Sequence, residues 1–350
     1  MKAAVLADDT TGALEAGALL VEVSPSCEVL LAGFESGADT VALSTESRHH
    51  PPSRAARAVR RAARKLMEGG VERFYKKTDS TLRGNITAEF EALLDNIPDR
   101  PIVYVPAYPA VGRTVVNGIL LVNGRPVAET EFRNDPRNPV TESSILRLVA
   151  GRYPVVSCSR PGSLLGGEAR VIVCDASSDQ DLSEIAADLK KAAKPFLAAG
   201  PAAFIRHWAR LSTPRAGPAP VVPLATRVLF VCGSLHPVSR RMQIEDALLA
   251  TPETIDTDAE GVLMRLARTA RDQMNVGGFD ALAIFGGDTA AVVLRNLGVR
   301  SLRPAGEVVP GVPVSLAACR GRPFTLVTKA GGFGDDGTAT RISEWLKGDR

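Results

Sequence analysis

The sequence predicts an α/β protein of two domains, each a mainly parallel sheet with flanking helices, with a ligand site in the cleft between them. Three observations predict this. Short apolar runs alternate with amphipathic helical patterns, as expected of parallel strands joined by helical crossovers. The strand-to-helix turns carry acids, hydroxyls, lysines and glycines, and open α/β sheets bind ligands beyond the carboxyl ends of their strands. Leu211 to Ala225 (LSTPRAGPAPVVPLA) has four prolines and no periodicity, so it reads as a linker between a domain at 1–210 and one at 226–350.

The totals agree. A chain of 350 residues is long for one core. With 45% hydrophobic and 23% charged residues it has the material for packed interiors and is unlike a disordered chain. A net charge of +3, with basic residues spread along the chain, gives no reason to expect a nucleic-acid partner. Cys27, Cys158, Cys174, Cys232 and Cys319 are scattered without zinc spacing and read as thiols of a reducing compartment. Asp8 and Asp9 come too early for a signal peptide, and no apolar run is long enough to span a bilayer. The expectation is a cytoplasmic protein with no membrane partner; a homodimer is left open.

In the first domain, Ala3 to Leu6 is a buried strand that runs into Asp8-Asp9-Thr10-Thr11-Gly12 and a helix from Ala13 to about Leu20. One aspartate suffices to cap that helix, so the other is a candidate ligand to a hydroxyl or a metal. Val29–Leu31 and Thr40–Leu43 are further strands, the second ending in Ser44-Thr45-Glu46-Ser47-Arg48. Arg48 precedes the basic helix from Arg54 to about Met67 and is a candidate carboxylate clamp, since guanidinium engages carboxylate through two parallel bonds. Val71–Tyr75 is a strand, and Ile86, Phe90, Leu93, Leu94 and Ile97 mark one face of a helix with Asn85 as N-cap and Glu89 at the positive end of its dipole. Between that strand and helix lies Lys76-Lys77-Thr78-Asp79-Ser80-Thr81-Leu82-Arg83-Gly84, which gathers cations, a carboxylate and hydroxyls and is read as an anion site.

Ile102–Val105 is a strand leading into Pro106 to Thr114, a turn with Tyr108 and Arg113 that is either a rigid connection or a binding loop. Val115 to Val122 with Asn123-Gly124 predicts a hairpin, and Glu129 to Val140 a polar loop. Then follow a helix from Thr141 to Val149, strands near Val155 and at Val171–Cys174, and a helix near Leu182 to Ala193.

In the second domain, Val228–Val231 precedes Cys232-Gly233-Ser234-Leu235-His236-Pro237 and a helix from about Val238 to Leu249. Asp280–Phe285 precedes Gly286-Gly287-Asp288-Thr289 and the helix Ala290–Leu297. Phe324–Val327 precedes Thr328 to Gly337 and a last helix ending near Lys347. Glycines at a helix start let backbone N–H groups and the dipole face a phosphate, and three such turns in one domain predict nucleotide binding. Gly332-Phe333-Gly334-Asp335-Asp336-Gly337 formally fits a dinucleotide fingerprint, but that needs a further strand with an acid about twenty residues on, and the chain ends in a helix. Walker, protein-kinase, serine-hydrolase and paired-histidine metal motifs are absent. Acids and bases in one half and phosphate loops in the other suggest phosphoryl transfer to a hydroxy acid.

ADDTTGA, KKTDSTLRGN, PAYPAVGRTVVNG, GGDTA, GEVVPGVP and KAGGFG, taken in this order, resemble the four-carbon acid sugar kinase family. The resemblance implies phosphorylation of threonate, erythronate or an oxo-tetronate with ATP and Mg²⁺. It implies that the acid meets Asp9, Arg48, Lys77, Thr78, Asp79 and Ser80. ATP would meet Ser234, then Gly286, Gly287, Asp288 and Thr289, then Gly331, Gly332, Phe333 and Gly334. Many members have serine and asparagine where this chain has Ala330 and Gly332, a change that spares backbone contacts and removes side-chain ones. Arg48 and Lys77 would hold the carboxylate and Asp9 or Asp79 would orient hydroxyls, domain closure delivering the γ-phosphate. Asp79 and Asp288 both stand as catalytic candidates. The alternative is a non-catalytic sensor of sugar acid and nucleotide on the same fold. An NAD(P)-linked dehydrogenase fits less well, for want of the strand after the glycine loop.

Overall fold

The computed structural model describes residues 2–24, 26–212, 220–234, 239, 248–249, 252–330 and 333–348. Two compact units emerge, one of Met1–Ala16 with Phe34–Arg215, the other of Gly17–Gly33 with Ala216–Arg350.

The chain begins with β1 (Lys2–Ala7), α1 (Thr10–Leu20) and β2 (Cys27–Leu30), the last belonging to the second unit. In the first unit follow β3 (Thr40–Ser44), α2 (Pro52–Glu68), β4 (Val71–Lys77), α3 (Ile86–Asn96) and β5 (Ile102–Tyr104). After them come β6 (Arg113–Val116), β7 (Ile119–Val122), β8 (Arg125–Pro126), α4 (Ile145–Leu148), β9 (Val155–Ser157), β10 (Val171–Val173), α5 (Asp179–Ala192), β11 (Leu197–Gly200) and α6 (Ala203–Ala209).

The main sheet of this unit runs β3-β1-β4-β11-β5-β10-β9, parallel throughout. Ala4, Val5, Leu6 and Ala7 are completely buried, as strands covered on both faces must be. A small antiparallel sheet β6-β7-β8 turns twice on Asn-Gly pairs, Asn117-Gly118 and Asn123-Gly124, all at positive φ as such tight hairpins require. The expected hairpin is thus two. The helix expected over Thr141 to Val149 is reduced to α4, because the Ser144 hydroxyl caps it at the Arg147 N–H.

The second unit contains β12 (Val228–Cys232), β13 (Leu248–Leu249), α7 (Pro252–Val276), β14 (Ala281–Phe285) and α8 (Gly287–Asn296). It ends with β15 (Ser301–Glu307), β16 (Pro313–Cys319), β17 (Arg322–Lys329) and α9 (Thr338–Lys347). Strands β13-β12-β14-β17 are parallel, while β16, β15 and β2 add on in antiparallel fashion. Phe230 and Phe285 meet edge-on at 6.0 Å in a core that Ile342 and Leu346 of α9 close.

The helix expected from Val238 to Leu249 lies mostly outside the described residues. At its expected end Leu248–Leu249 is a strand, pairing with Val231 and Cys232; a short apolar pair suits a sheet edge as well as a helix face. Much of the expected linker, 213–219, also lies outside the described residues. Among those that are described, no helix is long and apolar enough to cross a membrane.

Candidate active site

In the first unit, β1 lies between β3 and β4, with Ala7 in register with Ser44 on one side and Lys77 on the other. The three strands therefore end level and bring residues 8–9, 45–48 and 78–83 together. Arg48 is the hub. Its Nε and Nη2 donate to the two oxygens of Asp8 at 2.7 and 2.9 Å, its Nη1 to Asp9 at 2.5 Å, and Asp79 lies 3.6 Å away. Asp79 also accepts from Arg83 Nε at 3.0 Å and Nη2 at 2.8 Å, and from the Thr81 N–H at 3.0 Å. Burial would raise the Asp79 carboxyl, but the Arg83 and Arg48 guanidiniums outweigh it and hold it well below the usual carboxylate range.

Asp9 accepts from the Gly12 N–H at 2.7 Å and the Thr11 hydroxyl at 2.8 Å, and so caps α1. Gly12 has to be bare: a Cβ there would stand 2.7 Å from Asp9 and 3.2 Å from the Lys77 ammonium. Lys77 faces Glu15 at 3.5 Å, and Glu15 accepts from the Tyr108 hydroxyl at 3.2 Å. Burial dominates at Glu15 and raises its pKa despite Lys77. The Thr78 hydroxyl is buried beside the Tyr104 hydroxyl, and neither makes a well-formed hydrogen bond. Ser80 is half-buried in the turn that follows.

One expectation about the helix start is corrected: Asn85 occupies the N-cap position without a side-chain cap. Its amide donates to the carbonyls of Ser47 at 3.0 Å and His50 at 2.8 Å, fastening the Arg48 loop. Glu89 stands in the first turn of α3, as expected, but does more there. It is buried, pairs with Lys76 at 2.9 Å and accepts from the Ser47 hydroxyl. Sequence reasoning singled out neither Glu15 nor the pairing of Lys76 with Glu89, because no local pattern shows which buried charges meet across the chain.

In the second unit, Cys232 is in register with Phe285 and Phe285 with Lys329, so three turns also end level. They are knitted by Gly233 N–H to Phe285 carbonyl (3.2 Å) and Gly286 N–H to Lys329 carbonyl (2.9 Å). Gly286, at φ 111°, opens α8; a Cβ on it would lie 3.3 Å from the Ser234 nitrogen. A Cβ on Gly233 would run into Thr289, which is buried. Gly286 thus lies close to the Ser234 backbone and Gly233 close to Thr289, leaving a tight glycine turn at a helix N-terminus with Asp288 exposed in its first turn.

Lys329, absent from the expected site residues, is buried and donates to Ser239 Oγ at 2.9 Å and to the carbonyls of Ala330 (3.1 Å) and Phe333 (2.9 Å). Burial pulls its pKa down to about 8. Phe333 packs on bare Gly311, and Gly334 turns at φ 74° against Thr338. Gly331 and Gly332 lie outside the described residues. Among the described residues no group of three or more His, Cys, Asp or Glu could hold a metal by itself.

Comparison with known proteins agrees with this division. A family described as a sugar-binding N-terminal domain matches residues 3–208, and one described as a nucleotide-binding C-terminal domain matches residues 239–339. A D-threonate kinase of Bordetella bronchiseptica is 31% identical over 98% of this chain and 97% of its own. A D-erythronate kinase of Heliobacterium modesticaldum is 31% identical over 89% of this chain and 74% of its own. A crystal structure from Salmonella typhimurium superposes with a TM-score of 0.80 over 98% of this chain and 99% of that one; at 24% identity it speaks for the fold alone. With the sugar-binding family covering more than half of its length and the D-threonate kinase matched almost end to end, the chain belongs to the four-carbon acid sugar kinase family.

Proposed function

We propose that the protein is an ATP-dependent kinase that phosphorylates a hydroxyl of a four-carbon sugar acid of the threonate, erythronate or oxo-tetronate class. The observation that carries this reading is the pairing of two different cradles in one chain. One is a buried cluster of cations and carboxylates around Arg48 and Asp79; the other is the glycine turn of Gly233 and Gly286 against a helix N-terminus. The first suits a small hydroxy acid and the second suits phosphates. The named relatives are kinases, and no observation favours the sensor alternative.

In this reading Asp9, Lys77, Thr78 and Ser80 meet the acid's hydroxyls. Arg48 shapes the site through Asp8, Asp9 and Asp79. Asp79, held as an anion between two guanidiniums, orients and does not take up a proton at neutral pH. Ser234, Gly286, Gly287, Asp288, Thr289, Gly331, Gly332, Phe333 and Gly334 hold the nucleotide. Bound Mg-ATP supplies the phosphoryl group and neutralises charge on it; Mg²⁺ binds through one or two carboxylates plus substrate phosphates, which Asp288 fits. A loose phosphoryl-transfer transition state asks little of a general base, so Asp288 acts through charge and position.

The test is ADP release from Mg-ATP against both enantiomers of threonate and erythronate and against the oxo-tetronates. Release that depends on one of these acids supports the reading. Nucleotide binding with no release against any of them would refute it.

A further inference from the structure

Arg113 opens β6 at the far end of the loop that carries Tyr108. The two residues exchange backbone hydrogen bonds, Tyr108 N–H to Arg113 carbonyl at 2.7 Å and Arg113 N–H to Tyr108 carbonyl at 3.1 Å. Since the Tyr108 hydroxyl reaches Glu15, and Glu15 faces Lys77, this pairing fixes Arg113 at the ligand end of the first unit's sheet.

The cations there differ in one respect. Arg48 is neutralised by Asp8, Asp9 and Asp79, Lys76 by Glu89, Lys77 by Glu15, and Arg83 by Asp79 and Asp135. Arg113 is half-buried, its Nη1 donates only to the Val111 carbonyl, and its Nε is buried without any hydrogen-bond partner. Among the described residues no carboxylate forms an ion pair with it, although Asp79 and Glu131 are near enough to attract it. Burial wins over both and lowers its pKa. A desolvated guanidinium with an idle donor is unfavourable by itself and gains from an incoming anion.

We propose that Arg113 is the residue that takes the carboxylate of the substrate and so sets the preference for an acid over a neutral sugar. The proposal deepens the kinase reading and rests on it. Its chemistry is a charge-assisted contact from the idle Nε and the outer nitrogens of the fork to a planar carboxylate.

The experiment is calorimetric binding, without nucleotide, of the four-carbon acid that the wild type phosphorylates and of its amide, which keeps every hydroxyl and loses only the charge. Wild type, Arg113→Met and Arg113→Lys are compared, with KM for ATP measured alongside. Arg113→Met is expected to weaken the acid about 10- to 100-fold and leave the amide and the ATP KM unchanged. Arg113→Lys, which keeps the charge without the fork, should recover part of the loss and serves also where the methionine variant does not fold. Unchanged acid affinity, or equal losses for acid and amide, would overturn the proposal; so would a loss confined to ATP. A wild type that binds none of the acids would bring down the kinase reading and this proposal together. A wild type that turns over an acid beside an Arg113→Met variant that binds it normally would overturn the clamp alone.

Discussion

Lys76 and Glu89 offer the sharpest test of how the first unit is built. Their side chains are 0% and 1% exposed, and they meet at 2.9 Å. Removing one partner of such a pair costs about 3–5 kcal/mol, because a charge is left in a place that water does not reach. For a unit of about 200 residues this corresponds to a fall of roughly 6–20 °C in melting temperature. Lys76→Met should therefore be strongly destabilised, and so should Glu89→Leu. The double variant should recover most of the loss, since an apolar pair of similar volume is often neutral or better. A pH signature separates this from simple cavity formation. Burial already raises the Glu89 carboxyl above its ordinary value. A group raised in the folded state contributes stability that is fully present below its unfolded pKa and is lost as pH rises through the folded one. Without Lys76 the folded value climbs further, so the deficit of Lys76→Met should be largest near pH 8 and shrink toward pH 5. Thermal and urea melts of the three variants over that range are the assay. A single variant within about 1 kcal/mol of wild type, or a double variant whose loss is the sum of the singles, would refute the reasoning.

Three further outcomes are expected. Asp79→Asn should lower kcat/KM for the acid about a hundredfold, because a neutral amide cannot hold Arg48 and Arg83 in register; full turnover would remove Asp79 from the site. Its depressed pKa also stabilises the folded state above the usual value of 3.8 and ceases to do so as pH falls through the lower folded value. Acid-denaturation curves should therefore flatten in the asparagine variant. Gly233→Ala puts a methyl group onto Thr289 and within 3.1 Å of Leu263, which should raise the KM for ATP about tenfold while leaving acid binding in the absence of nucleotide unchanged. Lys329→Met removes the ammonium that ties Ser239 to the carbonyls of Ala330 and Phe333. In the wild type, nucleotide affinity should fall as pH rises through about 8, where that ammonium is lost, whereas the methionine variant should be weak and flat. Folding stability should run the other way, rising above pH 8 because the unfolded lysine keeps a proton that the folded one has given up.

Most of the parallel strands were legible because they are buried on both faces and read as unbroken apolar runs, as at Ala281–Phe285; Leu197–Gly200 and Leu248–Leu249, too short to stand out as runs, were not. Strands β15 and β16 were not, since Pro304, Gly306, Pro310 and Gly311 interrupt the pattern that would announce them; only the bulged register between Pro304 and Gly306 lets such a sequence pair. The 25-residue helix α7 was missed as well, because the TPETIDTDAEG stretch around its start carries no sustained apolar face.

For the site, the turns were legible and the pairing within them was not. Asp9, Arg48, Lys77, Thr78 and Asp79 do converge, because strands in register must deliver their following residues to one place. Which charge each of them neutralises depends on contacts such as Arg48 with Asp8, 40 residues apart in the chain, and Ser47 with Glu89, 42 apart. No periodicity encodes such distances. The consequence is functional. A cation that its own protein has already neutralised three times over is poorly suited to select an anionic ligand, whereas one left half-buried without a counter-ion is suited to it. The residue type that points to carboxylate recognition is common to Arg48 and Arg113; only the folded arrangement of carboxylates tells the two apart.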